Sequence, residues 1–382
     1  MSAARYDVVI IGAGVTGLSA ALHLKARGIA KIAVSDDSRQ PSFSTLGAGS
    51  VFGGQLDNFT RVSHAHGDDL ARAFWAFGDH AYDEFQRFAA DEGLVNGTHR
   101  HLRLITSATE LTEAQEAVAA MTAAGFLTKI LEPKAAGIPL TNRVLAVQDD
   151  GPRSMTVDPR AVHQRLRQKT ANLPHFGRAT AVEEVGGGVR VQLDSGTVLE
   201  AEIAVIAAHL GTGVLIPELK DALVGVADQW SAISFSGISL PVGMTYSAQH
   251  THEWGVVTAP GLMRVGGGRY LRPMAGIEAT IPTVLPAIAP HLRDKLAATF
   301  SGLVPDRILM SNGYLDINPC DELPIAGPMY GRGRLLVAAG FFGLGLSQGF
   351  FAGRCLADLV KDGRADQLPR QLWPERLRSI EA

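Results

Sequence analysis

Cysteine and long apolar runs are both scarce in this chain. Only two of the 382 residues are cysteines, Cys320 and Cys355, and their separation matches neither a disulfide framework nor a thiolate metal site. We therefore expect no disulfide scaffold, no metal and a reducing compartment. No run of roughly 18 apolar residues is present and no signal-peptide pattern precedes the first predicted strand, so the sequence predicts a cytoplasmic protein without a transmembrane segment.

An excess of charge of one sign is lacking as well. The formal net charge is -3 and no stretch concentrates Lys and Arg, which argues against a nucleic-acid partner. The remaining composition, with 46% hydrophobic and 19% charged residues, is that of an ordinary globular protein. A chain of this length is expected to fold as two domains.

Glycine, in contrast, is abundant and clustered. Many of the 42 glycines fall in four short segments, at residues 12–17, 47–54, 266–268 and 340–349. Clustered glycines indicate places where another group comes close to the backbone, because glycine has no Cβ atom to obstruct it.

The first forty residues have the pattern of a dinucleotide-binding βαβ unit. A buried strand at residues 8–11 leads into Gly12, Gly14 and Gly17, a helix follows, and Asp36 lies at the end of the next strand. The first glycine permits a tight turn, the second lets a pyrophosphate approach the backbone, and the third lets the helix pack on the strand. The helix N-terminus faces the phosphate charge and the aspartate accepts hydrogen bonds from a ribose. The pattern predicts a dinucleotide cofactor but does not distinguish NAD from FAD.

Four stretches of the chain carry a resemblance to a known family. They are the βαβ unit ending at Asp36, the loop at 47–55, the segment from Val157 to Ala208, and residues 321–327 with the glycine-rich turn at 340–349. In this order they resemble the D-amino-acid oxidase superfamily, especially its glycine oxidase, sarcosine oxidase and D-amino-acid dehydrogenase branch. The resemblance implies FAD as the cofactor. No histidine or cysteine falls at a position typical of covalent attachment, so we expect the FAD to be non-covalent.

The resemblance also implies an α/β fold, in which a Rossmann-like FAD-binding domain carries an inserted α+β substrate domain built on a mainly antiparallel sheet. We expect the FAD-binding domain to be discontinuous and to comprise residues 1–80, 150–215 and 322–382. Residues 81–149 and 216–321 are then the substrate-binding domain. Buried strands of the parallel type at the start, middle and end of the chain favour this division.

Small residues and backbone N–H groups dominate the expected FAD site. Glycines suit the backbone beneath the flat flavin ring, and N–H groups before the last helix suit the negative charge of reduced flavin. For residues 340–349 the alternative is a glycine-lined face for helix packing. The expected FAD-binding residues are Gly12, Gly14, Val15, Thr16, Gly17, Asp36, Asp37, Ser44, Thr45, Gly53, Gly54, Gln55, Val182, Ala208, Gly340, Gly343, Leu344, Gly345, Leu346 and Ser347.

The expected substrate site departs from the resemblance. In relatives that oxidise amino acids, an arginine shortly before the Asp-x-Leu-Pro stretch binds the substrate carboxylate, whereas this chain has Asp316 there. A carboxylate at this place favours a cationic or hydroxyl-bearing group. Arg264, Arg269 and Arg272 alternate as strand residues facing one cavity would, and Arg269 is the first choice for a replacement clamp. The alternative is that each is a solvated strand arginine.

Three histidines are further candidates. His64 and His66, together with Arg61, follow the loop expected beneath the flavin, and we expect them to contact the substrate or to transfer protons. Structural hydrogen bonding is the alternative, and no third ligand is spaced to complete a metal site. His209 stands where the family usually has a glycine, and it is another candidate for proton transfer.

The activity implied by the resemblance is oxidation of a CH–NH donor, an amine or amino acid, by hydride transfer to flavin N5 followed by hydrolysis of the imine. Either O2 or a protein or quinone acceptor then reoxidises the flavin. The residues expected to act on the substrate are His64, His66, Arg269 and Asp316. Two alternatives stay open: a flavin-dependent dehydrogenase of a 2-hydroxy acid, and a flavin-binding subunit of a hetero-oligomeric dehydrogenase. The sequence is compatible with an oligomer.

Overall fold

Strands are more numerous than helices in this protein. The computed structural model describes residues 5–37, 39 and 42–380, which form nineteen β-strands and eight α-helices. The strands are β1 Arg5–Ile11, β2 Ile32–Ser35, β3 Ser50–Phe52, β4 Val95–His99, β5 His101–Ile105, β6 Lys129–Leu131, β7 Ala146–Asp149, β8 Ser154–Val157, β9 His175–Phe176, β10 Ala179–Val185, β11 Gly188–Leu193, β12 Val198–Ile206, β13 Leu223–Ser236, β14 Thr245–Ala248, β15 Glu253–Ala259, β16 Leu262–Gly267, β17 Val304–Pro319, β18 Ile325–Met329 and β19 Arg332–Ala339. The helices are α1 Val15–Ala26, α2 Phe59–His66, α3 Asp68–Asp91, α4 Ala108–Ala123, α5 Pro159–Lys169, α6 Gly211–Leu215, α7 Ile288–Thr299 and α8 Phe350–Asp362.

The first large sheet has a parallel centre. Strands β19, β12, β1, β2 and β9 lie side by side in parallel, while β11 and β10 extend from β12 and β18 extends from β19 in antiparallel pairs. Residues of β1 alternate between two hydrophobic cores, with Val8 and Ile10 in one and Val9 and Ile11 in the other. A strand that is buried on both faces has no polar side, which explains its continuous run of apolar residues.

Helices α1 and α8 pack against each other on one face of this sheet. Their approach depends on glycine, because a Cβ at Gly349 would lie 2.6 Å from the Thr16 hydroxyl and one at Gly353 would lie 2.4 Å from the Thr16 carbonyl oxygen. This contact brings the start of α1 and the turn before α8 to the same end of the sheet.

The second large sheet is antiparallel except for one pair. Its order is β17-β13-β16-β15-β14-β5-β7-β6, and only β5 and β14 run parallel. A small third sheet joins β3, β8 and β4. The predicted fold class, a Rossmann-like domain combined with a mainly antiparallel sheet, is therefore confirmed. The first sheet draws its strands from residues 5–35, 175–206 and 325–339, whereas the exact domain boundaries stay a prediction.

Two local features of the helices differ from what the sequence suggests. The spacing of Thr112 and Gln115 is that of a capping box, but α4 already begins at Ala108 with the Ser107 side chain as its N-cap. Thr112 is inside the helix, where its hydroxyl donates to the Ala108 carbonyl oxygen. Helix α2 was not apparent in the sequence, because its eight residues are too few to show an apolar period.

Among the described residues, no helix combines the length and the apolar character that a membrane-spanning helix requires.

Candidate active site

A large cavity lies between the two large sheets. Its volume is about 1180 Å³, larger than the roughly 300–1,000 Å³ of a pocket for a drug-sized ligand. The ends of β1 and β2, the loop from Ser42 to Phe52 and the turn before α8 line one part of it, and strands β13 and β17 line another. The cavity therefore has room for a dinucleotide together with a small substrate.

The turn after β1 has the close contacts that a dinucleotide motif requires. A Cβ at Gly12 would lie 2.2 Å from the Ala207 carbonyl oxygen, and one at Gly17 would lie 1.9 Å from the Gly12 carbonyl oxygen. Gly12 and Gly14 line the cavity, whereas Gly17 packs α1 onto β1. The N-terminus of α1 points into the cavity, where the Ser44 hydroxyl accepts a hydrogen bond from the Val15 N–H at 3.0 Å.

Asp36 lies beside this turn at the end of β2. Its Oδ1 atom accepts a hydrogen bond from the Ala13 N–H at 3.0 Å, which holds the carboxylate at the cavity wall. Asp37 also lines the cavity, and a hydrogen bond from the Arg39 side chain lowers its pKa. A helix N-terminus, a glycine turn and an acidic side chain in this arrangement fit the phosphates and a ribose of FAD.

The glycine-rich segment before α8 serves two purposes. Gly340, Gly343 and Gly345 line the cavity, while Gly349 packs against α1. The helix-packing interpretation therefore applies to Gly349, while cofactor contact by the cavity-lining glycines stays a prediction.

Two of the predicted flavin-contact glycines lie elsewhere. A Cβ at Gly53 would lie 2.9 Å from both the Arg153 Cδ and the Asp79 Oδ1 atoms, and the Gly54 N–H donates to Asp79 Oδ1 at 3.0 Å. The loop packs closely on α3, where Gly78 makes room for it, since a Cβ at Gly78 would lie 2.1 Å from the Gly54 carbonyl oxygen. The preceding residues, Gly47 to Ser50, line the cavity instead.

Most of the remaining predicted FAD contacts do reach the cavity. Val182 and Ser347 are buried away from it, and the Thr45 hydroxyl donates to the Ser42 carbonyl oxygen at 2.7 Å within its own turn. The predicted FAD-binding residues that line the cavity are Gly12, Gly14, Val15, Thr16, Asp36, Asp37, Ser44, Gln55, Ala208, Gly340, Gly343, Leu344, Gly345 and Leu346.

Three polar side chains of the second sheet project into the cavity together. The register of β13 and β17 places Asp228 opposite Tyr314 and Val226 opposite Asp316. Alternate residues of paired strands share a face, so Asp228, Tyr314 and Asp316 form one cluster, here called the acidic cluster. The Tyr314 hydroxyl donates to Asp228 Oδ2 at 3.1 Å, and Asp316 Oδ1 accepts from the Ile317 N–H at 3.0 Å.

Burial dominates the electrostatics of this cluster. It raises the pKa of Asp316 to about 7, although the Ile317 N–H opposes the shift, and it also raises the pKa of Asp228. Burial and the neighbouring Asp228 raise the pKa of Tyr314 well above its usual value. Asp228 was not singled out in the sequence, because only the strand register brings it beside Asp316.

Of the three candidate arginines, only Arg269 lines the cavity. Arg264 instead donates to the Ala48 carbonyl oxygen at 2.8 Å and stacks over Trp230, and Arg272 is exposed. The expected alternation is absent because β16 ends at Gly267. The Nε atom of Arg269 is buried and has no hydrogen-bond partner among the described residues, while its charge opposes the raised pKa of Asp228 and of Asp316.

The histidines divide into exposed and buried groups. His64 and His66 are exposed on α2 and border the cavity. His209 stacks on Phe43 at a ring distance of 4.4 Å, and burial lowers its pKa to about 4. Burial also lowers the pKa of His101, another cavity residue, to about 3. Both buried histidines are therefore neutral near pH 7, which argues against His209 as a base that exchanges protons there.

Fold and cavity together define the class: an enzyme in which a dinucleotide site and a substrate cavity are contiguous beneath an antiparallel sheet. The model of the DAO family, described as FAD dependent oxidoreductase, matches residues 7–359. The chain belongs to this family, and its cofactor is FAD.

Individual relatives agree with this assignment. The chain is 26% identical over 379 residues to glycine oxidase of Bacillus licheniformis, covering 93% of each chain. Its fold is similar to that of glycine oxidase from Geobacillus kaustophilus, with a TM-score of 0.73, 17% identity and coverage of 94% of this chain and 95% of that chain. L-proline dehydrogenase from P. horikoshii gives a TM-score of 0.75, 15% identity and 98% coverage of both chains.

Gly345 provides a direct test of the cofactor position. It lines the cavity, its φ is not positive, and a Cβ there would meet no protein atom within 4 Å. We expect Gly345→Ala to fold normally but to bind FAD about 10-fold more weakly, because the new methyl group takes up cavity space. Gly333→Ala is the matched control, since Gly333 is exposed on β19 and also has no atom within 4 Å. Titration of the two apoproteins with FAD measures the difference, and equal affinities would place the cofactor away from this turn.

Proposed function

We propose that this enzyme oxidises a CH–NH donor, an amine or an amino acid. The observation that carries the proposal is the acidic cluster, which lies in the same cavity as the FAD-binding segments. Buried carboxyl groups accept hydrogen bonds from an ammonium or amine nitrogen and favour its positive charge. The names of the relatives, glycine oxidase and L-proline dehydrogenase, support a substrate of this class.

In this proposal, different cavity residues bind the different groups of an amino acid. Arg269 binds the carboxylate, because its buried Nε has no partner and a guanidinium pairs with a carboxylate in bidentate geometry. Asp316 binds the substrate nitrogen and accepts one proton from its ammonium form, which a pKa near 7 permits at neutral pH. FAD held by the glycine turns and Asp36 would supply the hydride acceptor for the carbon that carries the nitrogen. Strands β13 and β17, which carry Asp228, Tyr314 and Asp316 into the cavity, orient that carbon.

Anaerobic bleaching of the purified yellow protein tests the proposal. Amines and amino acids should bleach the flavin absorbance, whereas 2-hydroxy acids of matched carbon skeleton, such as lactate against alanine, should not. Bleaching by the hydroxy acids alone would contradict the CH–NH assignment. Admitting air to the bleached enzyme then distinguishes an oxidase, whose colour returns at once, from a dehydrogenase that needs another acceptor.

Tyr270 is expected to position Arg269. It lies next to Arg269 in a single 3-10 turn, and its hydroxyl bonds to both Glu253 and His291, with a distance of 2.6 Å to His291 Nε2. Tyr270→Phe removes these contacts, so we expect the KM of amino acids to rise about 3- to 10-fold with little change in kcat. The matching amines without a carboxylate should keep their KM. A loss of kcat for both classes would contradict a role confined to Arg269.

A further inference from the structure

The acidic cluster contains more carboxyl groups than there are cationic side chains to pair with them. Two carboxyl groups, Asp228 from β13 and Asp316 from β17, face one cation, Arg269. Four other titratable residues of the cavity are neutral at pH 7: burial raises the pKa of Tyr246 and Tyr314 and lowers that of His101 and His209. Without a ligand, such buried carboxyl groups tend to bind a proton, as the raised pKa of each indicates, so a ligand that carries positive charge can take the place of that proton.

Arg269 narrows the chemistry of that ligand. Its Nε atom is buried and donates to no described residue, which indicates that the ligand supplies an anionic or hydrogen-bond-accepting group as well. A simple amino acid is neutral overall and leaves one carboxylate of the cluster unmatched. A ligand with one carboxylate and two basic nitrogens satisfies all three charged side chains.

Asp228 on β13 and Asp316 on β17 lie at different distances from the glycine-rich turn before α8, and this separates their roles. A Cβ at Gly340 would lie 2.4 Å from Pro319 at the end of β17, and a Cβ at Gly343 would lie 3.6 Å from Asp316 Oδ2. Asp316 is therefore beside the glycine-rich turn that lines the cofactor region. Asp228, opposite Tyr314, lies farther from that turn by two residues of strand, or about 7 Å.

We propose that the substrate is a short diamino acid, and that Asp228 with Tyr314 binds its second nitrogen while Asp316 binds the nitrogen whose carbon is oxidised. The proposal rests on the proposed function, because it assigns the two acids within that site. A spacing of about 7 Å between the acids suits nitrogens separated by two or three further carbons, as in 2,4-diaminobutyrate and ornithine.

The test compares each diamino acid with the neutral amino acid that has a methyl group in place of its second amine, norvaline for 2,4-diaminobutyrate and norleucine for ornithine. Both enantiomers are assayed with the FAD-loaded enzyme. We expect kcat/KM to favour the diamino acids by about 10- to 100-fold, because a hydrogen bond to a charged group is lost with the isostere. In Asp228→Asn this preference should fall at least about 10-fold, because the diamino acid loses a partner that the neutral isostere, measured in the same variant, does not use. Asp221→Asn, which removes an exposed carboxylate, should keep the wild-type preference.

Binding measurements separate this proposal from the proposed function. Calorimetric titration of oxidised, anaerobic enzyme should show the same preference for the diamino acid even where no oxidation follows. Preferential binding without oxidation would support the diamino-acid site and contradict the proposed function. Oxidation of amines with no preference for diamino acids in the wild-type enzyme, or an equal loss for both substrates in Asp228→Asn, would overturn the assignment of Asp228 and leave the proposed function intact. Wild-type data decide the matter if Asp228→Asn does not fold.

Discussion

Replacing Gly17 with alanine is expected to give a protein that retains almost no FAD. A Cβ at this position would lie 1.9 Å from the Gly12 carbonyl oxygen and 3.2 Å from the Ile10 side chain. Both belong to the strand and turn on which α1 packs, so neither can move aside without displacing the other. The helix must shift, and its N-terminus then no longer points at the phosphate position. We expect FAD affinity to fall by at least about 100-fold.

The same substitution should also destabilise the apoprotein, since overpacking of this kind costs about 1–3 kcal/mol. FAD content after gel filtration and the thermal midpoint of the FAD-free protein measure the two effects separately. Gly333→Ala again serves as control, because an alanine there meets no neighbouring atom. A Gly17→Ala protein that is yellow and as stable as the wild type would contradict the packing role of this glycine.

The N-terminal motif shows which features of the fold the sequence can predict. Gly12, Gly17 and Asp36 belong to one local unit, in which the spacing along the chain already determines the geometry. Gly53 and Gly54 do not line the cavity, and no local pattern could predict this, because a glycine that makes room for a neighbouring side chain looks the same in sequence as one that makes room for a ligand. The outcome depends on where α3 packs, which is a tertiary contact.

The substrate side of the cavity shows the same limit. Asp316 was found by its distance from the Asp-x-Leu-Pro stretch, but Asp228 is 88 positions away in the chain and meets it only through the register of β13 and β17. A shift of the register by one residue would turn Asp228 to the opposite face. Arg269 lies in the cavity although it is not a strand residue, as the predicted alternation of the arginines required. The chain leaves β16 before Arg269 and forms a 3-10 helix there.

Asp316→Asn is expected to stabilise the FAD-free protein above pH 7. The pKa of Asp316 is raised from 3.8 to about 7, chiefly by burial and also by Asp228, against the opposing effects of the Ile317 N–H, the Gly343 N–H and Arg269. A carboxyl group whose pKa is higher in the folded than in the unfolded protein contributes stability below pH 4 and loses it progressively up to about pH 7. Ionisation of the folded wild type at pH 8 therefore costs on the order of 4 kcal/mol.

Asparagine keeps an oxygen that can accept the Ile317 N–H but carries no charge, so the variant should lack this loss of stability. Urea denaturation of wild type and Asp316→Asn at pH 5, 6, 7 and 8 measures this loss of stability. The two free energies of unfolding should diverge as the pH rises, and the variant should be the more stable protein. Asp228, whose pKa is also raised, loses a like-charged neighbour in the variant, so its own titration adds to the difference in the same direction. The exposed Asp221→Asn controls for the loss of one charge and should follow the wild type at every pH. Parallel curves for wild type and Asp316→Asn would mean that Asp316 is solvated, and they would remove the electrostatic basis for assigning it the substrate nitrogen.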